Sequence, residues 1–148
     1  MTIVKCKGYE VRSDLYYDHD RNLWVDTISP DIVRVGFDPL GVEVNGTLAQ
    51  LIMSSNPRTV RRGEAVGTLE AEKFVGPLEA PLGGNVVAIN ELVVGDPKLI
   101  YVDCFDAWLF ELTDVDEAEL VELVQPTDAV EDFERRVEVF KKAGVLSW

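Results

Sequence analysis

A chain of 148 residues, 47% hydrophobic and 28% charged, has the size and composition of one soluble domain. Twenty-seven acids against fourteen bases leave a net charge of −13, which repels a phosphate backbone and sets nucleic-acid binding aside. One histidine, His19, and two cysteines, Cys6 and Cys104, are too few for a three-histidine or four-cysteine zinc site. No run approaches the roughly 20 apolar residues of a membrane span, and residues 1–7 lack the apolar stretch of a signal peptide. The expectation is a cytoplasmic protein, off the membrane, with both thiols reduced.

From about Leu15 to Leu112, short apolar runs broken by glycine, proline or asparagine have the spacing of an all-β barrel or sandwich. The predicted strands are Leu23–Ile28, Ile32–Phe37, Gly46–Ile52, Ala65–Leu69, Gly84–Ile89 and Trp108–Leu112, with a short helix as a further possibility at Gly41–Val44. After Thr113 the apolar period becomes helical, over Asp116–Val124 and Asp128–Ala143. In the second of these, Asp128 and Glu131 suit a capping pair, Gly144 marks the stop, and Val130, Phe133, Val137 and Phe140 share one face. The predicted whole is a single domain, residues 1–148, with a β core at about 15–112 and a helical segment at about 113–148.

The familiar catalytic patterns are missing. There is no phosphate loop, no Gly-x-Gly-x-x-Gly and no Gly-x-Ser-x-Gly elbow. His19 lies in the polar run Asp18-His19-Asp20-Arg21-Asn22 and is expected in a solvated loop. Glu70 and Glu72 are spaced to share a strand face, as acids commonly are on solvated strands. Cys104 stands between Asp103 and Asp106, whose charges would raise its thiol pKa and keep it unreactive. Trp24, Trp108 and Trp148 suit packing better than a binding cage. Lys73 is the one residue set apart: a strand-like approach carries it to an apparent hairpin tip in acidic surroundings, and Pro77 and Pro81 beyond it suit an edge or loop. By itself such a lysine is a solvated surface residue.

Ordered motifs change its meaning. Asp18-His19 with Leu23-Trp24-Val25, then Val35-Gly36, Arg62-Gly63-Glu64 with Val66-Gly67, and Glu70-Ala71-Glu72-Lys73 follow one another along the chain. Ala80-Pro81 with Gly84, Asn90-Glu91, Asp96-Pro97-Lys98-Leu99-Ile100 and Ala107-Trp108-Leu109 continue the series. In order and spacing, the stretch from Tyr16 to Leu112 resembles the H protein of the glycine cleavage system. The resemblance implies a mainly β barrel-sandwich hybrid of the biotinyl/lipoyl type with flanking C-terminal helices. It also implies a carrier rather than an enzyme, with lipoate covalently held on Lys73. On this view Glu70 and Glu72 help a lipoylating enzyme recognise the hairpin, and Gly67, Gly76 and Gly84 shape the turns. A biotin carrier would flank its lysine with methionines, where this chain has Glu72 and Phe74.

Two stretches depart from the family pattern. Phe74-Val75-Gly76-Pro77-Leu78 replaces the usual small and polar residues after the lysine, and Asp103-Cys104-Phe105-Asp106-Ala107-Trp108 is one residue short. In these the chain is more similar to the H-like lipoate-binding proteins linked to sulfur oxidation by heterodisulfide-reductase-like complexes. The implied partners are a lipoylating enzyme, a dihydrolipoamide dehydrogenase-type reductase, and either such a complex or the glycine cleavage enzymes. Alternatives are aminomethyl transfer in glycine cleavage, and a cofactor-free binding module that keeps only the fold. A hydrolase using His19 is the remaining one.

Overall fold

The structure is a computed structural model that describes residues 2–54 and 58–146, so Trp148 lies outside the described residues. An N-terminal hairpin, β1 (Ile3–Cys6) and β2 (Tyr9–Arg12), comes first. A sheet of six strands follows, in the order β3 (Tyr16–Asp18), β4 (Leu23–Thr27), β5 (Val33–Phe37), β11 (Phe110–Thr113), β10 (Gly84–Ile89) and β7 (Arg58–Val60). The remaining sheet has the order β6 (Leu48–Met53), β8 (Ala65–Ala71) and β9 (Val75–Glu79). The pairings within all three sheets are antiparallel.

The two larger sheets close on one core. Leu23, Val25, Val33 and Val35 come from the six-stranded sheet, and Leu48, Leu51, Val66, Leu69 and Leu78 from the three-stranded one. This is the mainly β architecture the sequence predicts, with each predicted strand present to within a few residues at its ends. Strand β4 explains why Leu23-Trp24-Val25 does not alternate. Leu23 and Val25 enter this core, whereas Trp24 enters a second one on the other face, with Leu15, Tyr17, Leu40, Phe133 and Val137. A strand covered on both faces reads as a continuous apolar run.

The C-terminal helices form as α4 (Glu117–Glu122) and α5 (Ala129–Lys142). Phe133 and Val137 are buried and Val130 and Phe140 pack against them, so the predicted face of α5 is the one used. The predicted cap is not. A 3₁₀ turn, Pro126–Asp128, runs straight into α5, and Asp128 makes no side-chain capping bond because its own backbone is already helical. Near Gly41 the possible short helix is a full element, α1 (Pro39–Asn45), and the strand predicted from Gly46 starts at Leu48. The cue lay just upstream: Asp38 accepts a hydrogen bond from the Gly41 amide at 2.8 Å, and Pro39 opens the helix. Two short helices, α2 (Glu91–Gly95) and α3 (Leu99–Val102), were not predicted. Each is anchored by one buried residue, Val93 or Ile100, too few for a periodic pattern to show.

Candidate functional site

Strands β8 and β9 form a hairpin, and residues 72–74 make its tip. The Phe74 carbonyl accepts from the Ala71 amide at 2.8 Å, closing the turn. β9 is an edge strand, which is where Pro77 can sit without breaking a ladder. The tip is not left to the hairpin alone. The Lys73 amide donates to the Asn45 carbonyl at 3.0 Å, and the Glu72 amide to the Thr47 carbonyl at 2.8 Å. The end of α1 therefore grips the turn from below.

Gly46 makes that grip possible. Its φ is +71°, and a Cβ built there would lie 2.7 Å from Glu72 Oε1 and 3.4 Å from Lys73 Cγ. Any side chain would strain the backbone at this φ and force Glu72 to shift. The Gly46 carbonyl in turn accepts from the Tyr101 hydroxyl of α3. Neither Asn45, Gly46 nor Tyr101 is legible as a site residue in the sequence, because the contacts that bring them together join distant parts of the chain, 55 residues apart for Tyr101 and Gly46.

Lys73 itself is exposed, and its ammonium has no ion pair or side-chain hydrogen bond among the described residues. This suits covalent modification. Turning an ion-paired lysine into a neutral amide would strand its carboxylate, and here none is stranded. The residues present fit a lipoyl-lysine. Backbone bonds fix the root of the side chain while its far end is free. Glu70, near the end of β8, and Glu72, in the tip, are both exposed on the approach to Lys73, available to a visiting enzyme.

Gly67, Gly76 and Gly84 lie within strands β8, β9 and β10 rather than in turns. They serve close approach instead. An added Cβ would come within 2.5 Å of the Ile52 carbonyl at Gly67, 2.9 Å of the Phe74 ring at Gly76 and 2.6 Å of the Thr113 carbonyl at Gly84. Phe74 thus folds back over its own strand. A cleft of about 450 Å³ runs along this side, with Val44, Leu69, Phe74, Pro77 and Leu78 in its wall.

The other singled-out residues have structural tasks. His19 is half-exposed, with Nδ1 2.9 Å from Oδ1 of the buried Asp132, and so ties its loop to α5. Trp24 is fully buried and donates from Nε1 to the Cys104 carbonyl at 3.0 Å, while Trp108 packs beneath the Arg34 guanidinium, 4.7 Å from its ring centroid. The Cys104 thiol pKa is raised, as predicted. Burial is the main cause, ahead of the charges of Asp38 and Asp103.

Comparison with known proteins agrees with this geometry. A family profile described as Glycine cleavage H-protein matches residues 15–136. The chain is 30% identical over 135 residues to the probable glycine cleavage system H protein 3 of Sulfurisphaera tokodaii, covering 90% of this chain and 98% of that one. It is also 30% identical over 142 residues to the glycine cleavage system H protein 3 of Aquifex aeolicus, with 93% and 88% covered. The crystal structure of a glycine cleavage system H protein from Mycobacterium marinum superposes with a TM-score of 0.69 at 31% identity, covering 82% of this chain and 98% of that one. The fold is therefore the barrel-sandwich type expected, and none of the described helices is long and apolar enough to cross a membrane. The chain belongs to the glycine cleavage H-protein family, whose members are not enzymes but carriers that hold lipoate covalently on a lysine.

Proposed function

We propose that Lys73 is the lipoyl-bearing lysine and that the chain carries a lipoamide-bound fragment between partner enzymes. The observation that carries this reading is the tip: an exposed, unpaired lysine whose backbone amide is held by Asn45 while its side chain is free. When bound, the lipoyl group supplies a disulfide and dithiol pair, so the protein needs few reactive side chains of its own. What the chain contributes is a fixed root for the arm, a high local concentration of it and an acidic surface around it. Family membership supports the lipoylating enzyme and the glycine cleavage enzymes as partners, and aminomethyl transfer between glycine decarboxylase and aminomethyltransferase as the role.

A second reading, sulfur transfer with a heterodisulfide-reductase-like complex, is favoured by particular residues. Phe74 and Pro77 beside the lysine, and the shortened Asp103–Trp108 loop pinned at Cys104 by Trp24, alter the surface a partner would meet. Intact mass after expression with a lipoylating system tests the site. One lipoyl addition, lost in Lys73→Arg, is expected. An unmodified chain, or a modification that survives Lys73→Arg, overturns it. Incubating the lipoylated chain with glycine and glycine decarboxylase then separates the two roles, since efficient loading excludes the sulfur reading.

A further inference from the structure

We infer that the α2–α3 segment beside the Lys73 tip is the docking shelf for the enzyme that loads the arm, a partner with an apolar centre and a basic rim. The inference rests on the carrier reading and deepens it. These helices are short, and each spends one residue on the core, Val93 or Ile100. The apolar side chains beside those anchors face water instead: Leu92 is 76% exposed and Val102 80%, with Leu99 and Tyr101 partly bare as well. Single exposed apolar residues are ordinary, but four on a segment of twelve residues are not scattered.

The position of the segment gives them meaning. Tyr101 donates to the Gly46 carbonyl, and Gly46 lies against Glu72 and Lys73, so the shelf is pinned one residue away from the lysine's root. An enzyme that draws the arm into its active site must cover this ground. Phe74 and Val75 are exposed apolar residues at the hairpin tip itself. The charge around it selects the partner. Glu70, Glu72, Glu91, Asp96 and Asp106 are exposed and form no ion pairs among the described residues. Within residues 70–106 the bases are Lys73 and Lys98, and amidation would remove the charge of Lys73. A complementary surface therefore carries arginines or lysines around an apolar centre.

The test uses the lipoylated full-length chain as carrier for glycine decarboxylase, followed by glycine–bicarbonate exchange. Leu92→Asp with Val102→Asp is expected to raise the KM for the carrier at least tenfold with kcat within twofold. Glu91→Lys with Asp96→Lys is expected to raise the KM severalfold and flatten its salt dependence. Thermal midpoints and the extent of lipoylation should match the parent. An unchanged KM in both double variants overturns the shelf while leaving the carrier reading intact. A lipoylated parent that glycine decarboxylase does not load overturns the shelf as a glycine decarboxylase site. A parent that cannot be lipoylated at Lys73 brings down the carrier reading itself.

Discussion

Arg136 and Asp38, 98 residues apart, meet as a buried ion pair: Nη1 and Nη2 of the arginine lie 2.9 and 2.5 Å from the same carboxylate oxygen, Oδ2. The other carboxylate oxygen of Asp38 caps α1 through the Gly41 amide. Because α1 ends in the Asn45 carbonyl that holds Lys73, the pair couples the C-terminal helix to the hairpin tip. Burial pushes the Asp38 carboxyl up, and the Arg136 guanidinium with the Gly41 and Leu40 amides pulls it back.

Arg136→Met would leave Asp38 buried without its partner. The expected loss is about 3–5 kcal/mol, the usual cost of breaking a buried pair from one side. Urea denaturation measures it. Hydrogen exchange at the Glu72 and Lys73 amides should accelerate in the same variant, because their acceptors, Thr47 and Asn45, lie just beyond and at the end of α1. Unchanged exchange there would mean that the tip holds itself.

Gly46→Ala tests the grip from the other side. The alanine must take a φ near +71° and clear Glu72 Oε1, so a loss of roughly 1–3 kcal/mol is expected. The tip should also shift. A lipoylation rate several times lower than the parent's, measured by mass at early times, is the accompanying outcome.

Both thiols should be silent in the native protein, which matters in a carrier family whose lipoyl group is itself a disulfide. Burial, helped by Glu134, pushes the Cys6 thiol to about 11, and burial with Asp38 and Asp103 pushes Cys104 up further. At pH 8 only about one Cys6 in a thousand would then be thiolate. Labelling with a chromogenic disulfide should be slow on the apo chain and rapid once it is denatured.

The same shifts set an alkaline limit. Cys6, Cys104 and Tyr17 all have native pKa values above their ordinary ones, chiefly through burial. The unfolded chain ionises first, so their contribution is complete below the ordinary thiol value of 9.0 and is lost as pH rises beyond it. Melting midpoints should fall above that pH, and Cys6→Ser should blunt the fall.

Salt should weaken partner association. Lipoylation of Lys73 would take the formal charge from −13 to −14, beside the exposed Glu70 and Glu72. Carrier KM plotted against sodium chloride should rise through the physiological range, where screening reaches about 8 Å. A flat plot would remove charge from recognition.

Much of this protein is local and therefore visible in its sequence. Apolar period and turn residues place the main strands and the buried face of α5. The Glu70-to-Lys73 spacing with its surrounding motifs singles out Lys73 as the lysine proposed to bear the arm, through the family resemblance those motifs carry. The scarcity of catalytic side chains, apparent from composition, agrees with a carrier family. What the tertiary structure decided are relations without a local signature. α2 and α3 are held by one buried residue each, so no period announces them. Trp24 belongs to a second core that exists only once α5 has packed. Asn45, Gly46 and Tyr101 become site residues through contacts that chain folding alone creates, and the Arg136–Asp38 pair links two ends of the chain that nothing in their sequence neighbourhoods connects. Consecutive residues place Lys73 at the turn between β8 and β9; long-range packing holds its backbone there.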